Sequence, residues 1–127
     1  MFKANCIAPL LLTQLLHRNF LLGSEKKIVF ISSKLASITE NTGGSMYMSI
    51  SSRSALNQVI KSVSVDLIKE GISVASISPG WVKTDSGGIN ALIDVHTSVT
   101  GIKKIINELT LENTGNFWDY NGELIPW

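Results

Sequence analysis

Apolar residues recur at helical spacing near the start of the chain. Leu10, Leu11, Leu12, Leu15, Leu16, Phe20 and Leu22 form one such series, and Gly23 is a natural stop. Pro9 suits a first-turn position, so Asn5 falls in an earlier turn and a bend is expected between the two segments. Lys27-Ile28-Val29-Phe30-Ile31 is short, apolar and rich in β-branched and aromatic residues, the pattern of a strand buried on both faces. The polar stretch from Ser37 to Ser45, with Gly43-Gly44, predicts a loop. A long helix is expected from about Tyr47 to Glu70, with Leu56, Val59, Ile60, Val63, Leu67 and Ile68 as its apolar stripe and Gly71 as its end.

A second strand follows at Ile72 to Ser78, cut off by Pro79-Gly80. Thr84 to Asn90 reads as a loop. Val95 to Leu109 carries Val99, Ile102, Ile105, Ile106 and Leu109, a third helix. Asn116 to Asp119 is expected as a third short strand, and Asn121-Gly122 is a turn signal. Helices alternating with strands in this order predict a single α/β domain over residues 1–127, with a parallel sheet of about three strands and right-handed crossovers.

Composition narrows the function classes. Of the 127 residues, 44% are hydrophobic and 17% charged, a globular balance, and the net charge of +1 gives no reason to expect nucleic acid as a partner. No apolar run approaches the ~20 residues a membrane-spanning helix needs. Cys6 is the lone cysteine and no Asn-x-Ser/Thr acceptor occurs, both pointing to a reducing, cytoplasmic setting. The apolar run from Cys6 to Leu12 is broken by Pro9 and followed by Thr13-Gln14 and His17-Arg18, which argues against a secretion signal.

Several chemistries lack their residues. There is no Gly-x-Ser-x-Gly elbow, no Gly-x-x-x-x-Gly-Lys-Ser/Thr loop and no Gly-x-Gly-x-x-Gly turn. His17 and His96 stand apart without acidic or thiol neighbours at ligand spacing, so no metal is expected and both read as solvated helix residues. A doubly wound pattern without a phosphate loop reads as a partial Rossmann-like sheet without its nucleotide-binding N-terminal half.

Five motifs in order carry a resemblance. They are Asn5 with Pro9-Leu10-Leu11-Leu12; Ile28-Val29-Phe30-Ile31-Ser32-Ser33; Ser52-Arg53-Ser54-Ala55-Leu56-Asn57; Ser78-Pro79-Gly80-Trp81-Val82-Lys83-Thr84-Asp85; and the tail from Asp119-Tyr120-Asn121-Gly122-Glu123 to Pro126-Trp127. Together they resemble the C-terminal half of the short-chain dehydrogenase/reductases, in the C-factor-like and carbonyl-reductase-like branch. The resemblance implies hydride transfer between NAD(P)H and a carbonyl or alcohol, through an Asn-Ser-Tyr-Lys tetrad. Asn5 and Ser33 match the first two positions, but Ser49 stands where the family has tyrosine and Arg53 where it has lysine. The family's tyrosine and lysine lie four apart on one helix face, where the cation lowers the phenol's pKa. Serine is far less acidic and shorter than tyrosine, and arginine differs from lysine in shape and hydrogen bonding. Tyr47 is a conceivable substitute, but six residues from Arg53 it points roughly 120° away unless the helix start unwinds.

By the same resemblance Pro79, Gly80, Val82 and Thr84 would touch the nicotinamide end of NAD(P). Helices 9–22 and 47–70 would form a homo- or heterodimer interface. Three readings follow: a truncated, catalytically inactive relative or helix-docking partner of a full-length relative; an NAD(P)-dependent carbonyl reductase whose cofactor loop comes from an unseen segment or another chain; and an unrelated small α/β binding module.

Overall fold

The computed structural model describes all 127 residues. Three strands, β1 (Lys27–Ile31), β2 (Ser73–Ser78) and β3 (Asn116–Asp119), form a parallel sheet in the order β1-β2-β3. Parallel neighbours need crossovers, and helices α2 (Tyr47–Leu67) and α3 (Val95–Glu108) provide them. Helix α1 (Ala8–Leu22) precedes β1.

The register decides which side chain meets which helix. Phe30, Ser76 and Phe117 stand abreast on one face, and Ile31, Ile77 and Trp118 on the other. On the first face Ile28, Phe30 and Val74 pack with Leu56, Ile60 and Val63 of α2, and Leu10 and Phe20 of α1 lean against them. On the second face Ala75 and Ile77 pack with Ile105 and Leu109 of α3. The result is a three-layer α/β/α sandwich, each fully buried large side chain contributing about 1.5–3 kcal/mol of transfer free energy.

Helix ends are held by specific groups. Gly71, with φ +73, ends the 3₁₀ turn Ile68–Glu70 that follows α2. The Asp94 carboxylate caps α3 by accepting the Thr97 N–H at 2.7 Å. At the far end of α3, Lys27 Nζ donates to the carbonyls of Ile106 and Asn107 at 2.9 and 3.2 Å. His17 contacts Glu70 at 2.8 Å, so it ties α1 to the end of α2 and is not simply solvated as expected.

The structure corrects two further expectations. There is no break before Pro9: residues Lys3–Ile7 form a π-turn that runs straight into α1, with Ile7 and Ala8 both helical in φ and ψ. Pro9 sits in the first turn of α1, where its missing N–H costs nothing. The second correction concerns β1. Its burial alternates, with Ile28 and Phe30 buried, Val29 half-buried and Ile31 51% exposed. β1 is an edge strand, and the α3 layer covers β2 and leaves the Ile31 end bare.

The opposite edge is closed. The C-terminal tail folds back on β3: Ile125 N–H donates to Phe117 O and Asp119 N–H to Glu123 O, each at 2.8 Å. Phe117 is buried beneath it and stacks on Trp127 with ring centroids 5.5 Å apart.

Candidate functional site

The carboxyl ends of parallel strands are where an open α/β sheet binds ligands. Here they converge on a cavity of about 900 Å³. Ser33 reaches it from the end of β1, Ser78 and Gly80 from the end of β2, and Asp119 and Tyr120 from the end of β3. Trp81, Leu92 and Ile93 make an apolar wall, and Ile50 enters from α2.

Each wall has a local cause. Ser33 has extended φ and ψ and caps the 3₁₀ turn Lys34–Ala36, its oxygen accepting the Leu35 N–H at 3.3 Å. Its own hydroxyl proton remains free to donate to a carbonyl oxygen. The 79–93 loop is fastened to itself. Lys83 N–H donates to Ile93 O, Leu92 N–H to Trp81 O, and Trp81 Nε1 to Gly87 O at 2.8 Å. Ser98 Oγ on α3 donates to Pro79 O at 2.6 Å.

Tyr120 is wedged between this loop and α3. A Cβ on Gly80, which has φ +79, would lie 2.7 Å from Tyr120 Cδ1. A Cβ on Gly101 of α3 would lie 1.9 Å from the Tyr120 carbonyl oxygen. Both positions therefore require glycine: the first lays the ring against the cavity floor, and the second lets the backbone approach the helix.

Behind the cavity runs a buried polar seam. Asn5, held in the π-turn, donates from Nδ2 to Ser52 Oγ at 3.0 Å, and Ser52 Oγ donates to Ser49 O at 2.8 Å. Asn57 Oδ1 accepts from Ser32 Oγ and Ser76 Oγ at 2.9 and 3.1 Å, joining α2 to β1 and β2. These bonds fix how α2 sits on the sheet, while Asn57 Nδ2 is buried without a partner.

The tetrad positions are thus divided. Ser33 lines the cavity, while Asn5, Ser49 and Arg53 are absent from its wall. Asn5 spends its amide on Ser52, Ser49 is half-buried, and Arg53 is half-buried without an ion pair. Tyr47 is 81% exposed and is not part of the cavity lining. Ahead of it, Ser45 and Met46 hold left-handed backbone with φ +66 and +48, a costly conformation for non-glycine residues. Among the expected nicotinamide contacts Gly80 lines the cavity; Pro79, Val82 and Thr84 do not. Thr84 Oγ1 is occupied inside the loop, accepting the Gly87 N–H at 3.0 Å.

These residues fit one end of a dinucleotide. Ser33 and Gly80 can flank a flat ring, but a pyrophosphate needs a glycine-rich turn from strand straight into helix. β1 and β2 lead into helices only through the connections 32–46 and 79–94, and the N-terminus of α3 is already filled by the Asp94 carboxylate. The Asp94 carboxyl is held below its ordinary value of 3.8, chiefly by the Thr97 backbone hydrogen bond. No trio of His, Cys, Asp and Glu side chains gathers into a cation site. No helix is long and apolar enough to cross a membrane.

Sequence reasoning missed Tyr120, Asp119, Trp81 and Ile93 as cavity walls. Asp119 and Tyr120 close a strand before the Asn121-Gly122 turn, and that placement at a carboxyl end is the signal that identifies them.

Comparison with known proteins bears on the same residues. Residues 1–90 match the family model described as short chain dehydrogenase. The chain is 35% identical over 126 residues to C-signal of Myxococcus xanthus, covering 99% of this chain and 76% of that protein. It is 33% identical to 1-hydroxy-2-glutathionyl-2-methyl-3-butene dehydrogenase of Rhodococcus sp. (strain AD45), covering 84% of this chain and 49% of that one. Among solved structures, the carbonyl reductase Sniffer of D. melanogaster superposes with a TM-score of 0.91 at 37% identity, over 99% of this chain and 55% of that chain. An NADPH-bound carbonyl reductase from chicken fatty liver gives 0.91 at 29% identity, with the same coverage of 99% and 55%. The chain thus spans about half the length of these structural neighbours and three quarters of C-signal.

Proposed function

This chain belongs to the short-chain dehydrogenase family, and from that premise we propose that it is a catalytically silent member acting by docking, with helices α1 and α2 as its docking elements. One observation carries the reading. The α2 face that would present a phenol one turn ahead of a lysine presents Ser49 and Arg53, and neither borders the cavity. Arginine stays protonated at all accessible pH and cannot relay a proton, and a serine hydroxyl is too weak an acid without a base beside it. The carbonyl-polarising serine persists as Ser33, so the cavity keeps one of the four tetrad positions in its wall. Docking is supported by the surface of α1, where Leu11, Leu12, Leu15 and Leu22 are all more than half exposed. The lone cysteine supports a cytoplasmic setting.

The test is a titration of the purified chain with NADPH, followed by the fluorescence of its three tryptophans. No saturable binding in the range of roughly 1–10 μM is expected, and no NADPH-dependent loss of a ketone or aldehyde. Saturable binding with turnover overturns the reading.

A second reading has its own observation. Tyr120 is one of only two tyrosines, and it shares the cavity wall with Ser33. An NAD(P)-dependent carbonyl reductase whose cofactor loop is supplied by another chain would use that phenol as its acid. Turnover that appears with a full-length relative present, and vanishes in Tyr120→Phe, is its signature.

A further inference from the structure

We propose that the cavity binds a protonated primary amine, with the Asp119 carboxylate receiving the ammonium group beside Trp81 and Tyr120. This goes beyond the docking reading and does not depend on it. Its groups all stand on β2, β3, the 79–93 loop and the tail.

Asp119 is the group that asks for a ligand. It is only 8% exposed. Its Oδ1 accepts the Tyr120 N–H at 3.0 Å. Its Oδ2 accepts no hydrogen bond, and Asp119 takes part in none of the chain's ion pairs. Nor is that oxygen sealed in the core, where the side-chain atoms without a partner are Asn57 Nδ2 and Trp118 Nε1. The small exposed part of Asp119 therefore opens on the cavity that it lines. A carboxylate with so little water around it and no cation beside it is costly, and a charge-assisted hydrogen bond from a ligand offsets that cost.

Ser78 stands next to it. The two residues are register partners on β2 and β3, so their Cα atoms lie about 4.8 Å apart. Ser78 is 2% exposed, and its Oγ accepts only the Gly80 N–H, at a long 3.4 Å. A hydroxyl oxygen has two lone pairs, so one remains for a ligand N–H. An ammonium carries three donors. One nitrogen can thus serve Asp119 Oδ2 and Ser78 Oγ together.

The rest of the wall selects the sign of the charge. Lys34 is its one lysine, and Glu40 takes it up at 3.5 Å. Asp119 and Glu123 are left without a cation, so an anion is repelled and a cation attracted. Trp81 and Tyr120 are residue types whose ring faces attract an ammonium. Leu92, Ile93 and Ile50 give an apolar body a place to lie, and about 900 Å³ suits a small molecule. A metal ion fits worse, since no three ligating side chains gather.

Calorimetric titration of the full chain at neutral pH tests this with 2-phenylethylammonium, 2-phenylethanol and phenylacetate, which share one body and differ in charge. The ammonium probe is expected to bind saturably with Kd below ~1 mM. The alcohol should bind at least ~10-fold more weakly, and phenylacetate not at all. Asp119→Asn keeps an oxygen for the Tyr120 N–H and loses the charge. It should weaken the ammonium probe roughly 10–100-fold and change the alcohol little. Trp81→Leu, which keeps an apolar wall, should weaken it about 2–5-fold. Glu112→Gln, exposed and outside the cavity, should leave it unchanged. No saturation by the ammonium probe overturns the proposal. So does an alcohol that binds as tightly, or a folded Asp119→Asn that binds as before. Should Asp119→Asn fail to fold, the three probes on the wild type and Trp81→Leu decide. Failure here leaves the docking reading intact, and NADPH binding would end that reading without touching this one.

Discussion

The two edges of this sheet were finished differently. At β3 the chain turns back on itself, pairs its tail with the strand and lays Trp127 over Phe117. At β1 it does nothing: the strand ends the sheet with outward-facing backbone and a leucine-lined groove. An edge strand that is left apolar and unguarded is either an aggregation hazard or an interface. The candidate cavity spans both sides, with Ser33 from the end of β1 facing residues from the ends of β2 and β3.

The sharpest way to break the comparison is Phe117→Ala. Phe117 is 1% exposed, lies between Ala36 and Ile125, and stacks on Trp127. The substitution should cost about 3–5 kcal/mol, a large share of the ~5–15 kcal/mol that holds a small domain together. Urea unfolding followed by tryptophan fluorescence measures it. A loss under ~1 kcal/mol would mean that the tail does not pack as described.

Gly101→Ala should come next. It forces a methyl against the Tyr120 carbonyl, backbone against backbone, so α3 or the end of β3 must shift. About 1–3 kcal/mol of destabilisation is expected, typical of overpacking. Because Tyr120 lines the cavity, the variant should also alter any ligand binding there, which Gly122→Ala, with open space around its Cβ, should not do by contact.

How much of this was legible beforehand follows the same divide. The strand at residues 27–31 and the helix end at Gly71 were readable because each rests on local signals: a β-branched run, and a glycine where the chain takes positive φ. The exposure of β1 was not readable. Lys-Ile-Val-Phe-Ile reads as a central strand whether or not another strand lies beside it, since the sequence of one strand carries no record of its neighbours. The tail's return to β3 and the wedging of Tyr120 against Gly80 and Gly101 were equally hidden, because they join residues far apart in sequence. Ser33, Ser49 and Arg53 were assigned by the family resemblance, which did not reveal that Ser49 and Arg53 stop short of the cavity.

On the open edge the expected effects on stability are small. Ile31→Thr replaces a side chain that is already 51% exposed with another β-branched one, so a change within ~0.5 kcal/mol is expected in dilute solution. The same substitution at Ile77, on the same face one strand inward and fully buried, should cost about 2–3 kcal/mol by stranding a hydroxyl in the core. The pair measures how strongly the sheet's interior and its rim differ. Equal losses would mean that the rim is already covered in the isolated chain.

The smallest effect probes the α3 layer on the second face of the sheet. α3 is held at one end by Lys27 and at the other by Asp94, whose carboxylate accepts the Thr97 N–H and so titrates below its ordinary value of 3.8. A lowered native pKa means that the ionised form favours the fold. That contribution is complete above pH 3.8 and fades as pH falls through the lower native value. Thermal melts of the wild type and Asp94→Ala should therefore differ at pH 7 and converge below pH 3.8. Asp94→Asn, which can still accept the hydrogen bond but carries no charge, should sit between them at pH 7 and show no such convergence. A gap between wild type and Asp94→Ala that persists in strong acid would assign the cap to packing, and α3 would then owe its start to the loop before it.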